Sequence, residues 1–211
     1  KERPLDHSMQ QTRHKLNIGD INIASFSRPC PGERVNGDTV VIERRDTTLF
    51  LALIDALGHG PPAHAVAVRA ARFLRNDWSS DVNDTIYRLH AELKGTIGAV
   101  AGICVLDTVT LKLCYTGVGN TVFRTIGSHA TRLYSTEGVI GSRMRQPPLQ
   151  TVPLNRSDII LLYSDGVSDR FDVEHYPQIL YHNARAIARK VVDKFGKSHD
   201  DATCIVMRYG R

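Results

Sequence analysis

Four aspartates share one kind of neighbourhood. Asp38 follows Gly37, Asp55 ends the apolar run 49–54, Asp165 stands between Ser164 and Gly166, and Asp200 precedes Asp201. Each reads as sitting at the edge of a strand beside small or turn-forming residues. A glycine next to an acid lets the backbone approach a ligand closely. A carboxylate at the end of a buried strand is costly unless it is paired or holds a cation. Oxygen-only donor sets select hard divalent cations such as magnesium or manganese. Zinc would want His and Cys at ligand spacing, and the sequence has no such cluster. Taken singly, Asp38 and Asp165 are ordinary turn residues, and Asp200 is a solvated loop acid. Asp55 resists that reading because of the apolar run before it. Four such places in one chain point to a metal site.

Strands must position these acids. Alternation over 18–27 predicts a strand, broken by Pro29-Cys30-Pro31-Gly32. Residues 33–38 turn into a second strand over 39–45. Arg45-Asp46-Thr47 turns the chain again, into the strand that ends at Asp55. Short strands with short connections predict an antiparallel sheet. The spacing predicts helices over 63–78 and 81–93, the second capped by Ser80 or Asp81. Strands follow over 99–106, 111–116 and 120–126, then a polar loop region over 127–153. A buried strand over 158–163, a helix over 183–195, a polar turn and a last strand over 202–207 complete the pattern. Residues 1–16 lack periodicity and read as a disordered or loosely attached tail, with Met9 as the candidate natural start. Residues 17–211 read as a single domain. Strands, two helices, strands, one helix and a strand make an α+β chain, with helices covering the outer faces of two packed sheets.

The 211 residues suffice for one sizeable domain. The net charge of +5 is modest and scattered. Nothing forms the basic stripe with interleaved aromatics that nucleic-acid binding wants. No apolar run approaches the roughly 20 residues needed to span a bilayer, and the N-terminus has no signal-peptide pattern. A soluble cytoplasmic protein is the expectation. Cys104, Cys114 and Cys204 lie in apolar, strand-like runs, where a reduced cysteine behaves as a small core residue. A disulfide framework is not expected. With no coiled coil, a monomer is expected.

The acids also carry a resemblance. Asn36-Gly37-Asp38, Asp55-Ala56-Leu57-Gly58-His59-Gly60, Ser164-Asp165-Gly166 and Asp200-Asp201-Ala202-Thr203 stand in an order that resembles the type-2C metal-dependent serine/threonine protein phosphatases. The Asp-x-x-Gly-His-Gly and Asp-Asp-x-Thr forms look like the bacterial branch, which includes the stage II E and sigma-factor-regulator phosphatases. The likeness runs from about Gly19 to Met207. It implies a four-layer α-β-β-α sandwich of two packed antiparallel sheets, with a centre of two Mg2+ or Mn2+ ions between them. Asp55 would bridge both ions, Asp38 and the Ala56 carbonyl would complete one site, and Asp165 with Asp200 would hold the other. Asp201 would be a neighbour of the ligands. A water activated by the two metals would attack the phosphorus of a phosphoserine or phosphothreonine.

The resemblance implies a phosphorylated signalling protein as partner, in particular the scaffold proteins of the bacterial stressosome in the general stress pathway. Arg34, near Asp38, is the candidate for holding the substrate phosphate. Where eukaryotic members have Glu before the first acid, this chain has Gly37. His59 stands four residues after Asp55, not two, and reads as a turn or supporting residue. Asp169 is the nearest candidate for a third metal site. Two other classes compete. A metal-dependent nuclease would use similar acids, but the basic surface is weak. A phosphatase-like binding module would lack one of the acids, and all four are present. A general phosphoprotein phosphatase outside the stressosome is the alternative within the same class.

Overall fold

The computed structural model describes residues 15–127, 130–168, 178 and 181–210. A six-stranded sheet has the order β1 (Lys15–Ile18), β2 (Ile21–Arg28), β11 (Ala202–Tyr209), β10 (Ile159–Tyr163), β7 (Val122–Ile126) and β8 (Thr131–Leu133). A five-stranded sheet has the order β3 (Asp38–Arg45), β4 (Thr48–Ala56), β5 (Ala99–Asp107), β6 (Lys112–Val118) and β9 (Gln150–Pro153). Every pairing between these strands is antiparallel. Helices α1 (Gly60–Asp77) and α2 (Val82–Glu92) cover the outer face of the five-stranded sheet, and α3 (Ala184–Phe195) covers the other. The fold is therefore the α+β sandwich expected from sequence. Among the described residues no helix is long and apolar enough to cross a membrane.

Period-two alternation sorts the strand residues into three cores. On β4, Phe50, Ala52 and Ile54 face the helices, whereas Leu49, Leu51 and Leu53 face the other sheet. On β10, Ile159, Leu161 and Tyr163 pack on the α3 side, while Ile160 and Leu162 point into the seam between the sheets. This two-sided burial is why both strands read as unbroken apolar runs.

Several boundaries differ from expectation. The strand expected over 18–27 is a hairpin, in which Ile18 pairs with Ile21 and Gly19 takes φ +51°. Lys15 and Leu16, placed by sequence in the tail, belong to its first strand. The first helix starts at Gly60, not at residue 63. Pro61 and Pro62 occupy its first turn, where the missing N–H has no helical partner to lose. The loop expected over 127–153 contains β8 and β9. Both are short edge strands, of three and four residues.

The two sheets touch closely at Gly102. A Cβ built there would lie 2.8 Å from Leu162 Cδ1 of the opposing sheet. Leu162→Ala is expected to cost about 2–5 kcal/mol in urea denaturation. Gly102→Ala alone is expected to destabilise as well. The double variant should be more stable than the sum of the two effects, because the new methyl enters the space the leucine vacates.

Candidate active site

The seam between the sheets is apolar for most of its length and polar at one end. Along β4, the face that carries Leu49, Leu51 and Leu53 continues to Asp55. Along β3, the face that carries Val40 begins at Asp38. The register places Asp38 directly opposite Asp55. On the other sheet the same faces end in Ser27, Ser164 and Thr203. These groups form a chain of hydrogen bonds. Asn36 Nδ2 donates to Ser27 Oγ, and Thr203 Oγ1 donates to the same oxygen at 2.9 Å. Thr203 N–H donates to Ser164 Oγ at 3.1 Å, and Ser164 Oγ donates to Asp38 Oδ2 at 2.7 Å. Asp38 N–H donates to Asn36 Oδ1 at 2.7 Å. The other carboxylate oxygen of Asp38, Oδ1, is buried without a hydrogen-bond partner.

Asp55, Asp165 and Asp200 line one cleft of about 510 Å³, together with His59 and Asn120. Asn120 Nδ2 donates to Asp165 Oδ2 at 2.7 Å and fixes that side chain. Burial pushes the Asp55 carboxyl far above the usual carboxylate range, and Asp38, Asp165, Asp200 and Asp201 push it further. Burial also raises Asp38, against hydrogen bonds from Ser164 and Thr203 that favour its ionised form. Asp165 is raised by burial and by Asp200, and lowered by Lys197. The acids repel one another, and their shared need is positive charge. The donors are all oxygens, one of them an orphan, and this set fits hard divalent cations. Among the described residues no three His, Cys, Asp or Glu side chains form a ready-made ligand cluster. The fit therefore rests on the orphaned Asp38 oxygen and the mutual repulsion.

The neighbouring acids Asp200 and Asp201 divide two tasks. Asp201 accepts from Cys30 N–H at 2.7 Å with one oxygen and from Gly37 N–H at 2.8 Å with the other, so it ties down the 29–37 loop. Asp200 faces the cleft, and its Oδ1 accepts from Asp201 N–H at 2.9 Å. The carbonyls of Pro29, Lys197 and Asp200 all accept from the Arg28 guanidinium. At Gly37 a Cβ would lie 2.8 Å from both Ala63 Cβ and Asp201 Oδ2. A glutamate has no room there unless Ala63 or Asp201 moves.

Ala56 is buried, and its N–H donates to the Gly37 carbonyl at 3.1 Å. Arg34 is exposed in the 29–37 loop, outside the residues that line the cleft. Its neighbour Glu33 pairs with Nδ1 of His59, a residue that lines the cleft, at 2.8 Å. Asp169 lies outside the described residues. Sequence reasoning missed the Ser27, Ser164 and Thr203 hydroxyls, Asn120 as the partner of Asp165, and Glu33. Ser164 and Thr203 had a signal in their places within the Ser-Asp-Gly and Asp-Asp-x-Thr stretches, which marked their positions but not their hydrogen bonds.

The sequence model of stage II sporulation protein E (SpoIIE) matches residues 45–210. No curated protein matches in sequence. Solved structures do match. One, described as the bacterial stressosome, a modular system adapted to control secondary messenger signaling, is 26% identical with a TM-score of 0.83. That match covers 89% of this chain and 99% of the other. RsbX in complex with magnesium is 19% identical with a TM-score of 0.82, covering 94% and 100%. The PP2C phosphatase domain, with a regulatory-domain fragment, of SpoIIE from Bacillus subtilis is 16% identical with a TM-score of 0.73, covering 95% and 72%.

The buried acids have a consequence for stability. A carboxyl whose folded pKa is raised keeps a proton that the unfolded chain has already released. Stability then falls as pH rises from the ordinary carboxylate value of 3.8. In urea denaturation with EDTA present, the protein should lose about 1 kcal/mol or more between about pH 5 and about pH 8 relative to Asp55→Asn. Equal pH dependence in the two proteins would show that Asp55 carries no such burden.

Proposed function

The chain belongs to the stage II sporulation protein E family and is a serine/threonine phosphoprotein phosphatase, and from that premise we propose that it dephosphorylates a bacterial signalling protein with the help of two divalent cations. The observation that carries this reading is the cleft in which Asp55, Asp165 and Asp200 meet beside the orphaned Asp38 oxygen. Asp55, Asp38 and the Ala56 carbonyl would hold one Mg2+ or Mn2+ ion, and Asp165 and Asp200, with Asp55 shared, the other. When bound, such ions neutralise phosphoryl charge and lower the pKa of the water that attacks phosphorus.

The chain's own residues prepare the site for that chemistry. Ser164 occupies Oδ2 of Asp38 and leaves Oδ1 free to bind a cation. Asn120 orients Asp165. Asp201 and Arg28 hold the two loops that bring Asp38 and Asp200 to the site, so their geometry is set before substrate arrives. Catalysis of this kind is positioning plus charge neutralisation, and no cysteine nucleophile is required. The likeness to a stressosome structure and to RsbX supports phosphorylated stressosome scaffold proteins as the substrate. Magnesium in the RsbX structure supports the choice of cation.

With Mn2+ the protein should hydrolyse p-nitrophenyl phosphate and a phosphoserine protein, and EDTA should abolish both. Asp55→Asn and Asp165→Asn should each lower kcat by about 100-fold or more. Wild-type rates in either variant would overturn the mechanism. Release of phosphate from a phosphorylated stressosome scaffold should exceed release from an unrelated phosphoprotein. Equal rates would point to a general phosphoprotein phosphatase.

A further inference from the structure

The cleft that holds Asp55, Asp165 and Asp200 does not end at Asn120. Beyond Gly119, Asn120 and Asp165 a second hollow of about 520 Å³ opens, with Lys197 and Tyr134 among its walls. The two hollows share Gly119, Asn120 and Asp165, so they form one trough with a common divide. Apart from the shared Asn120 and Asp165, none of the chemistry above uses the residues of the second hollow.

Its walls are built rather than loose. The peptide of Lys197 is held on both sides. Its N–H donates to the Gly166 carbonyl at 2.7 Å, and its carbonyl accepts from Arg28. Lys197 is half-buried, and among the described residues its ammonium has no salt-bridge partner. Its charge falls beside Asp165. On the rim, Tyr134 exposes 71% of its surface while its backbone is clamped. Tyr134 N–H donates to Gln150 Oε1 at 3.1 Å, and Gln150 Nε2 donates to the Tyr134 carbonyl at 2.7 Å. Tyr134 and Lys197 both line the hollow on backbones that are already held, and a peptide can occupy such a surface at little ordering cost.

We propose that the second hollow receives the substrate segment next to the phosphorylated residue, and that Lys197 selects substrates with an acidic side chain, Asp or Glu, in that segment. This inference rests on the phosphatase reading above. The charge balance favours it. The first hollow is lined by Asp55, Asp165 and Asp200 and repels a further carboxylate, whereas in the second hollow Lys197 and Arg132 stand against the single acid Asp165. Like-charge repulsion on one side and attraction on the other also set the direction in which an acidic segment lies.

The test uses two phosphoserine peptides that differ only in their flanks, Glu on both sides or Lys on both sides. Wild type should favour the Glu peptide by about fivefold in kcat/KM. Lys197→Glu should invert that order, and Lys197→Met, which keeps the apolar stem, should erase it. Thermal melting of the variants checks that they fold. Equal kcat/KM for the two peptides in wild type, or an unchanged Glu preference in Lys197→Glu, overturns the proposal. Binding of dye-labelled, unphosphorylated versions by fluorescence anisotropy gives a readout without turnover, with the same order and the same inversion expected. Hydrolysis of neither peptide with an intact binding preference defeats the phosphatase reading alone. Hydrolysis of both without preference defeats the Lys197 assignment alone.

Discussion

Two carboxylates facing each other across a pair of antiparallel strands repel, and burial makes the repulsion worse. Asp38 and Asp55 are such a pair. Much else at this end of the molecule can be understood as a response to it. Ser164 and Thr203 place hydroxyl and amide dipoles around Asp38. Asn120 steadies Asp165 at the cleft wall. Arg28 puts a guanidinium against the carbonyls of the loop that carries Asp200. These contacts lower the cost of holding the acids without cancelling their charge. The remaining deficit is the attraction the site offers to cations.

The same arrangement explains why the sandwich has two kinds of interior. The seam is filled by Leu51, Leu53, Ile160, Leu162, Ile205 and their neighbours, and these make the sheets adhere. At its end the same strand faces present Asp55, Ser164 and Thr203. The change from core to site happens within one or two residues along each strand. Rigid strands deliver the reactive end, so the acids inherit the precision of the packed seam. Asp200 and Asp201 show the converse economy, since neighbouring residues at a strand start point to different sides. One serves the cleft and the other the scaffold.

The parts of this design that could be read in the sequence are those written locally. The unbroken runs before Asp55 and Asp165 announced strands buried on both faces, and the acids after them line one cleft. Helical spacing located all three helices, although two prolines hid the first turn of α1. Strands β8 and β9 were not readable, because three or four residues at a sheet edge show no period. The hydroxyl chain was not readable either. Ser27, Ser164 and Thr203 are ordinary residues whose meaning comes from partners more than a hundred positions away. Arg34 looked suited to phosphate because of its type and nearness in sequence; it is exposed and does not line the cleft, while its neighbour Glu33 pairs with His59.

The two residues that join β3 to β4, Asp46 and Thr47, pair Arg45 with Thr48 and so set the register of the whole hairpin. Seven residues further along each strand, roughly 24 Å away at about 3.4 Å per residue, that register brings Asp38 opposite Asp55. The turn acts as a ruler for a site it never touches. A slip of one residue there would turn one acid toward the helices and away from the seam. Loop length at the far end of the molecule is thus part of what places Asp38 opposite Asp55, and a loop-length change at this turn is not the neutral event that surface loops usually allow.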